Sequence, residues 1–298
     1  MIEPATREVL ITPPFSLATT CGPVAWARGR WSNLDWLDNA FVWVGWEDAR
    51  LVWRIVRQVG ANELVISGSA AVRDDESWAR EVLGVGEVMP AFADPAIAAL
   101  AKRMAGLRPQ SAGSLFEGLV SSIVGQSISV AAAATVGRRL AAQWGEACEI
   151  GGRLFWAPPR ADHLASAKSE ALRASGLPRR RAEALVAAGR AAVNGDLPSD
   201  AAARADPESA MARMRALPLV GPWTAASALV WGIGAPDAFP SGDVALLRAA
   251  RRAYTRPNMS LKDLDILADG WRPHRGWAAR LLWTDLLGVA ESPTRALA

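Results

Sequence analysis

MARMRALPLVGPWTAASALVWGIG (211–234) decides the reading of this chain. A helix ends at Ala216, and Leu217-Pro218-Leu219-Val220-Gly221 makes a tight turn. A second helix then starts at Pro222, where proline's missing N–H leaves no donor unpaired. The free N–H groups at such a start, with the helix dipole behind them, form a sequence-independent seat for a phosphate. An ordinary tight turn between two helices fits the same residues, so this segment alone leaves both readings open.

Outward from the turn, the pattern is helical on both sides. Downstream, APDAFPSGD (235–243) is a Pro/Gly-rich loop, and Asp243 opens a helix over 243–254, with another over 273–288. Upstream, helices are expected at 178–194 and 207–216, and Asp94-Pro95 opens one that runs to about Ala105. Ser114-Leu115-Phe116-Glu117 has the pattern of a capping box. Phe116, Leu119, Val120, Ile123 and Val124 then recur at helical spacing. Gly125-Gln126-Ser127 breaks that helix, and Ser129 caps the next.

The first seventy residues read differently. FVWVGW (41–46), RLVWRIVRQV (50–59) and ELVISGS (63–69) are rich in Val, Ile and Trp and are separated by short polar turns. Such spacing favours an antiparallel sheet. Leu51, Trp53 and Ile55 point one way, and Val52, Arg54 and Val56 the other. Tryptophans 26, 31, 36, 43, 46 and 53 are read as sheet packing. The fold class expected is therefore α+β. A small α+β domain with an antiparallel sheet (1–108) precedes an all-helical region (109–298).

Composition narrows the function. Cys21 and Cys148 are far apart, and His163 and His274 are isolated, so no metal, iron–sulfur or other cofactor is expected. No stretch approaches the ~18–20 apolar residues of a membrane span. The N-terminus lacks the pattern of a signal peptide, and a cytoplasmic, nucleoid-associated monomer is expected. Residues 1–94 hold 8 Lys/Arg against 13 Asp/Glu, whereas residues 95–298 hold 25 against 17. A polyanion would be drawn to the second part. Arg179-Arg180-Arg181 and Arg248, Arg251 and Arg252 are candidates for contact with a nucleic-acid backbone, with a solvated charged surface as the other reading.

Leu-Pro-x-Val-Gly-Pro-Trp-Thr-Ala, followed by Pro-Asp-Ala-Phe-Pro-Ser-Gly-Asp243, closely resembles the helix-hairpin-helix DNA glycosylases, and within them the 3-methyladenine DNA glycosylase II family. LFEGLVSSIVGQSISVAAAATV (115–136), GLPRRRAEAL (176–185) and WRPHRGWAARLLW (271–283) match in the expected order, so the resemblance spans about residues 95–288. It implies a protein that binds double-stranded DNA holding damaged bases, flips out an alkylated base and hydrolyses its N-glycosidic bond. Asp243 matches the family's catalytic aspartate, which would stabilise positive charge developing on the sugar; Asp is also a favoured N-cap. Asp237 reads as a turn residue. Leu217, Leu219, Gly221 and Thr224 would form the DNA-binding hairpin. Strand-cutting relatives carry a lysine just after the hairpin glycine; Trp223 stands there, and Lys102, Lys168 and Lys262 are the chain's three lysines. The resemblance therefore implies a monofunctional enzyme.

Trp223, Ser227 and His274 fall where the family's base pocket lies. Ser227 and His274 replace larger aromatics, so the pocket is expected to be open and polar. Leu219 stands where the hairpin usually has glycine, which is unfavourable if the position needs positive φ. In this branch a large apolar residue after Gln126 fills the gap left by the flipped base. Ser127 is small, which leaves Gln126 or Ile128 for that task, with burial an equally good reading of Ile128.

Overall fold

The structure is a computed structural model that describes residues 5–25, 31–69 and 73–287. Trp26 and the end of the last expected helix at residue 288 lie outside the described residues. The chain opens with β1 (Ala5–Leu10) and α1 (Leu17–Ala25), then β2 (Leu34–Leu37), β3 (Ala40–Glu47), β4 (Arg50–Gln58), β5 (Glu63–Gly68) and α2 (Asp75–Leu83). The strands form one antiparallel sheet in the order β1-β5-β4-β3-β2. The three expected segments are its centre, and β1 and β2 are edges that the sequence reading missed.

Strand alternation sorts the sheet's two faces. Val52 and Val56 join Phe41, Trp43, Ile66 and Trp78 in a buried cluster under α1 and α2. Arg54 points the same way, 1% exposed, and is satisfied there by Glu47 at 2.7 Å, Asp75 at 2.8 Å and the ring of Trp78. Leu51, Trp53 and Ile55 face the opposite side with Trp46. Trp36 and Trp43 are buried in the first cluster and Trp31 packs on it, as sheet packing requires.

The rest is mainly helical: α3 (Pro95–Arg103), α4 (Leu115–Gly125), α5 (Val130–Trp144), then β6 (Ala147–Ile150) and β7 (Arg153–Trp156). After these come α6 (Ala161–Ser166), α7 (Ser169–Leu172), α8 (Arg179–Val193), α9 (Asp200–Ala205), α10 (Pro207–Arg215), α11 (Pro222–Ile233), α12 (Val244–Ala253), α13 (Leu261–Asp269) and α14 (Arg275–Leu287). The expected all-helical region 109–298 is therefore interrupted by a β-hairpin. Its Ile150 and Phe155 pack with Val42 and Val44 on the sheet's outer face, and Trp46 Nε1 donates to Pro158 O at 2.7 Å. Burial of that face, which the sheet's own helices do not cover, accounts for the hairpin's place. The large helical core also takes in Ile97, Leu100, Met104 and Leu107.

One crossing positions everything that follows. A Cβ on Gly118 of α4 would lie 2.5 Å from both Ala228 O and Gly232 Cα of α11, so the two backbones touch. The helices run antiparallel, with Ser114 O near Gly232 at one end and Gln126 beside Thr224 at the other. The C-terminus of α4 and the N-terminus of α11 thus meet at one end of the helical region. Only half of the expected capping box forms on α4: Ser114 Oγ accepts from Glu117 N at 3.1 Å. The Glu117 carboxylate turns toward Gly113 and Trp43, where burial, with Asp200 adding to it, pushes its pKa up to about 8.

Candidate active site and nucleic-acid interface

The turn between α10 and α11 is closed by Leu217 N to Met214 O at 3.0 Å and Val220 N to Leu217 O at 3.3 Å. Leu219 adopts φ 62°, the left-handed conformation that makes glycine the usual choice here. Gly221 is the N-cap of α11 in an extended conformation and offers no side chain to cap it. The first intrahelical bond is Ala225 N to Gly221 O, so the N–H groups of Trp223 and Thr224 precede the ladder. Nothing lies within 4 Å of the Cβ that Gly221 lacks. No neighbour among the described residues requires glycine there.

Asp243, partly buried, is the N-cap of α12 and does two things at once. Its Oδ1 accepts from Leu246 N at 2.7 Å, and its Oδ2 accepts from Trp223 Nε1 at 2.9 Å. Capping fixes one oxygen by local backbone geometry; the indole of the hairpin helix fixes the other. The two bonds set the plane of the carboxylate. The cap and a chemical role are therefore compatible rather than alternatives.

The loop before Asp243 is clamped from the side. Asp237 accepts from Arg275 N at 3.1 Å, Nε at 3.0 Å and Nη2 at 2.9 Å, and pairs with Arg272 at 3.3 Å. Gly276 N donates to Pro236 O at 2.7 Å, and a side chain on Gly276 would collide with the loop backbone. Asp237 thus anchors the loop to α14 as well as shaping its turn. This role was hidden from sequence because its partners lie 35 and 38 residues away.

His274 sits at the end of this clamp, partly buried, with its ring edge-on to Phe92 at 6.1 Å. Phe92 adds an aromatic that the sequence reading missed. Ser227 lies on α11 one turn after Trp223 but is only 5% exposed, within the helical core. Trp223 and Asp243 are brought into contact; the ring contact of His274 is with Phe92 instead, and Ser227 is buried.

The segment joining α4 to α5, residues 126–129, lies beside the hairpin. Gln126 Nε2 donates to Leu219 O and to Thr224 Oγ1, each at 2.8 Å, and Arg181 Nη2 of α8 donates to Gln126 O. Ser127 has φ 53°, and Ser129 Oγ caps α5 through Ala132 N. Ile128 is 37% exposed and Val130 51%, so Ile128 is not buried. Of the arginine groups, Arg179 pairs with Glu183 and Arg251 donates to Met259 O. Arg180, Arg248 and Arg252 are exposed. Cavities of about 360 Å³, between α5 and β7, and 520 Å³, between α3 and α12, are lined by residues other than Asp243.

The model of the HhH-GPD superfamily of base excision DNA repair proteins matches residues 120–271, just over half of the chain. This chain belongs to that superfamily. Within it, the DNA-3-methyladenine glycosylase 2 of Escherichia coli is 32% identical over 194 residues, which cover 65% of this chain and 66% of that relative. The match thus spans slightly less than two thirds of the relative's length. Among solved structures, a 3-methyladenine DNA glycosylase from Archaeoglobus fulgidus superposes with a TM-score of 0.75 at 20% identity, covering 93% of this chain and 97% of that one. The apo form of a Clostridium acetobutylicum 8-oxoguanine glycosylase/lyase gives 0.71 at 19% identity, covering 95% and 98%. At these identities the superpositions show a shared fold, which extends over nearly all of this chain.

Proposed function

We propose that this protein is a monofunctional DNA glycosylase of base excision repair, which flips alkylated bases out of double-stranded DNA and hydrolyses the N-glycosidic bond. The observation that supports it most is the doubly held carboxylate of Asp243, bonded to the indole of the hairpin helix. Breaking a glycosidic bond builds positive charge on the sugar, and a carboxylate held in one orientation is already placed to stabilise it. The uncapped start of α11 would seat a phosphate. Open space above Gly221 allows that phosphate to approach the backbone closely.

Ile128 is the residue of the 126–128 group that suits the gap left by the base: it is apolar and exposed, whereas Gln126 is bonded to the hairpin. Trp223 would stack on the flipped base, with His274 and Phe92 as a more distant wall. A single committed ring favours cationic bases, which an electron-rich ring face attracts. Alkylated purines such as 3-methyladenine and 7-methylguanine are therefore the expected substrates, and neutral, stable bases such as hypoxanthine poor ones. Lys102, Lys168 and Lys262 are all exposed and lie outside the hairpin and its loop, which argues against a Schiff-base lyase step.

The test is base release from oligonucleotides that each hold one defined lesion. Free 3-methyladenine should appear while the strand stays intact until alkali is added. Trapping of a covalent enzyme–DNA adduct by borohydride, or no release from any alkylated substrate, would overturn the proposal.

A further inference from the structure

Gln126 has two amide N–H groups, and both are engaged across a boundary between elements. One donates to Leu219 O in the hairpin turn, the other to Thr224 Oγ1 in the first turn of α11. Its backbone carbonyl accepts from Arg181 of α8. A single residue at the end of α4 therefore ties together the turn, the hairpin helix and α8.

Each acceptor depends on it. Leu219 holds a backbone conformation that side chains other than glycine rarely adopt, and a bond to its carbonyl fixes the orientation of that peptide. Thr224 is 3% exposed, so its hydroxyl would lose its partner without gaining water if the amide swung away. Insertion of Gln126 into DNA would break both bonds. The next residue, Ser127, turns the chain through a left-handed conformation and carries Ile128 out to solvent.

We infer that Gln126 is a positioning residue that braces the gap loop 126–129 against the hairpin, so that seating a backbone phosphate and filling the gap beside it occur in one register. The inference rests on the glycosylase reading for its DNA partner, but it concerns the gap and not bond cleavage. With the brace intact, a phosphate held at the start of α11 fixes where Ile128 stands. Without it, the hairpin still binds DNA while the loop samples other positions, and recognition of an empty site suffers more than recognition of intact duplex.

The experiment compares Gln126→Leu, which keeps the size but removes both donors, with the wild type. Dissociation constants are measured for two duplexes of the same sequence, one undamaged and one with a tetrahydrofuran abasic analogue. The preference for the gapped duplex should fall about tenfold, the order expected from two neutral hydrogen bonds. Thr224→Val, which removes one acceptor, should give a smaller fall in the same ratio, and Thr224→Ser should restore it. These threonine variants decide the question if Gln126→Leu does not fold. An unchanged ratio, or equal weakening on both duplexes, overturns the brace. Base release by the wild type is assayed in parallel: its absence would refute the glycosylase reading, while the two-duplex ratio would still decide the brace.

Discussion

Trp223→Phe separates the two things that Trp223 is proposed to do. Phenylalanine keeps a ring for stacking but lacks the N–H that reaches Asp243 Oδ2 at 2.9 Å. A hydrogen bond to a charged group contributes about 1.5–3 kcal/mol when sheltered. Trp223 and Asp243 are only partly buried, so the lower end applies, and ~1.5 kcal/mol corresponds to roughly a tenfold slower reaction. The fold should survive, because the cap bond from Leu246 N holds Asp243 Oδ1 independently. Single-turnover release of 3-methyladenine from a lesion duplex, at saturating enzyme, measures the effect without contributions from binding or product release. Trp223→Ala should be slower still, since it removes the stacking surface as well, worth ~1–3 kcal/mol per base. If Trp223→Phe released base at the wild-type rate, the indole N–H would not be what orients the carboxylate. If Trp223→Ala did so too, the ring would have no part in the site.

Two further outcomes follow from charge. Glu117 is held neutral by its surroundings up to about pH 8, so the folded protein binds a proton there that the unfolded chain has released. Stability should therefore fall as pH rises from the ordinary glutamate range to about 8. Glu117→Gln should raise Tm at pH 8 and leave it nearly unchanged near pH 4.5; an equal gain at both pH values would show that the carboxyl does not titrate in this way. Arg180 is exposed at the start of α8, immediately before Arg181, whose side chain holds Gln126 of the gap loop. Charge reversal by Arg180→Glu should lower the slope of log affinity against log salt by about one phosphate contact's worth, ~0.9; an unchanged slope would make Arg180 a solvated surface residue.

Much of this architecture could be read along the chain because its signals are local. Pro222, Gly221 and the helical spacing place α10 and α11 within a residue or two of their observed bounds. The same holds for α8 and α12, which begin at Pro178-Arg179 and Asp243-Val244. Leu219 could be flagged because the resembled family has glycine at that position, and its φ is indeed positive. The β6–β7 hairpin was overlooked because its strands have four residues each and Leu154 is exposed. Gly151-Gly152, both at positive φ, is nonetheless a two-residue hairpin turn that the sequence displays. Glu117 matched a capping box, yet its carboxylate turns to Gly113 and Trp43, because tertiary packing outweighs a local bond. What stayed hidden was pairing over long separations. Gln126 meets Thr224 only because Gly118 and Gly232 let two helices touch. Trp223 meets Asp243 across twenty residues, and Asp237 meets Arg275 across thirty-eight.

The central claim is that the negative charge of Asp243 drives base release, and Asp243→Asn tests it most directly. Asparagine is also a good N-cap, so Oδ1 can still accept from Leu246 N and α12 should hold. What is lost is the charge, and the amide nitrogen faces the Trp223 N–H where an oxygen stood. Single-turnover release of 3-methyladenine should fall ~10²–10³-fold, the usual cost of removing a major electrostatic stabiliser, while Tm and duplex affinity stay close to wild type. A folded Asp243→Asn protein that releases the base at near the wild-type rate would contradict the account.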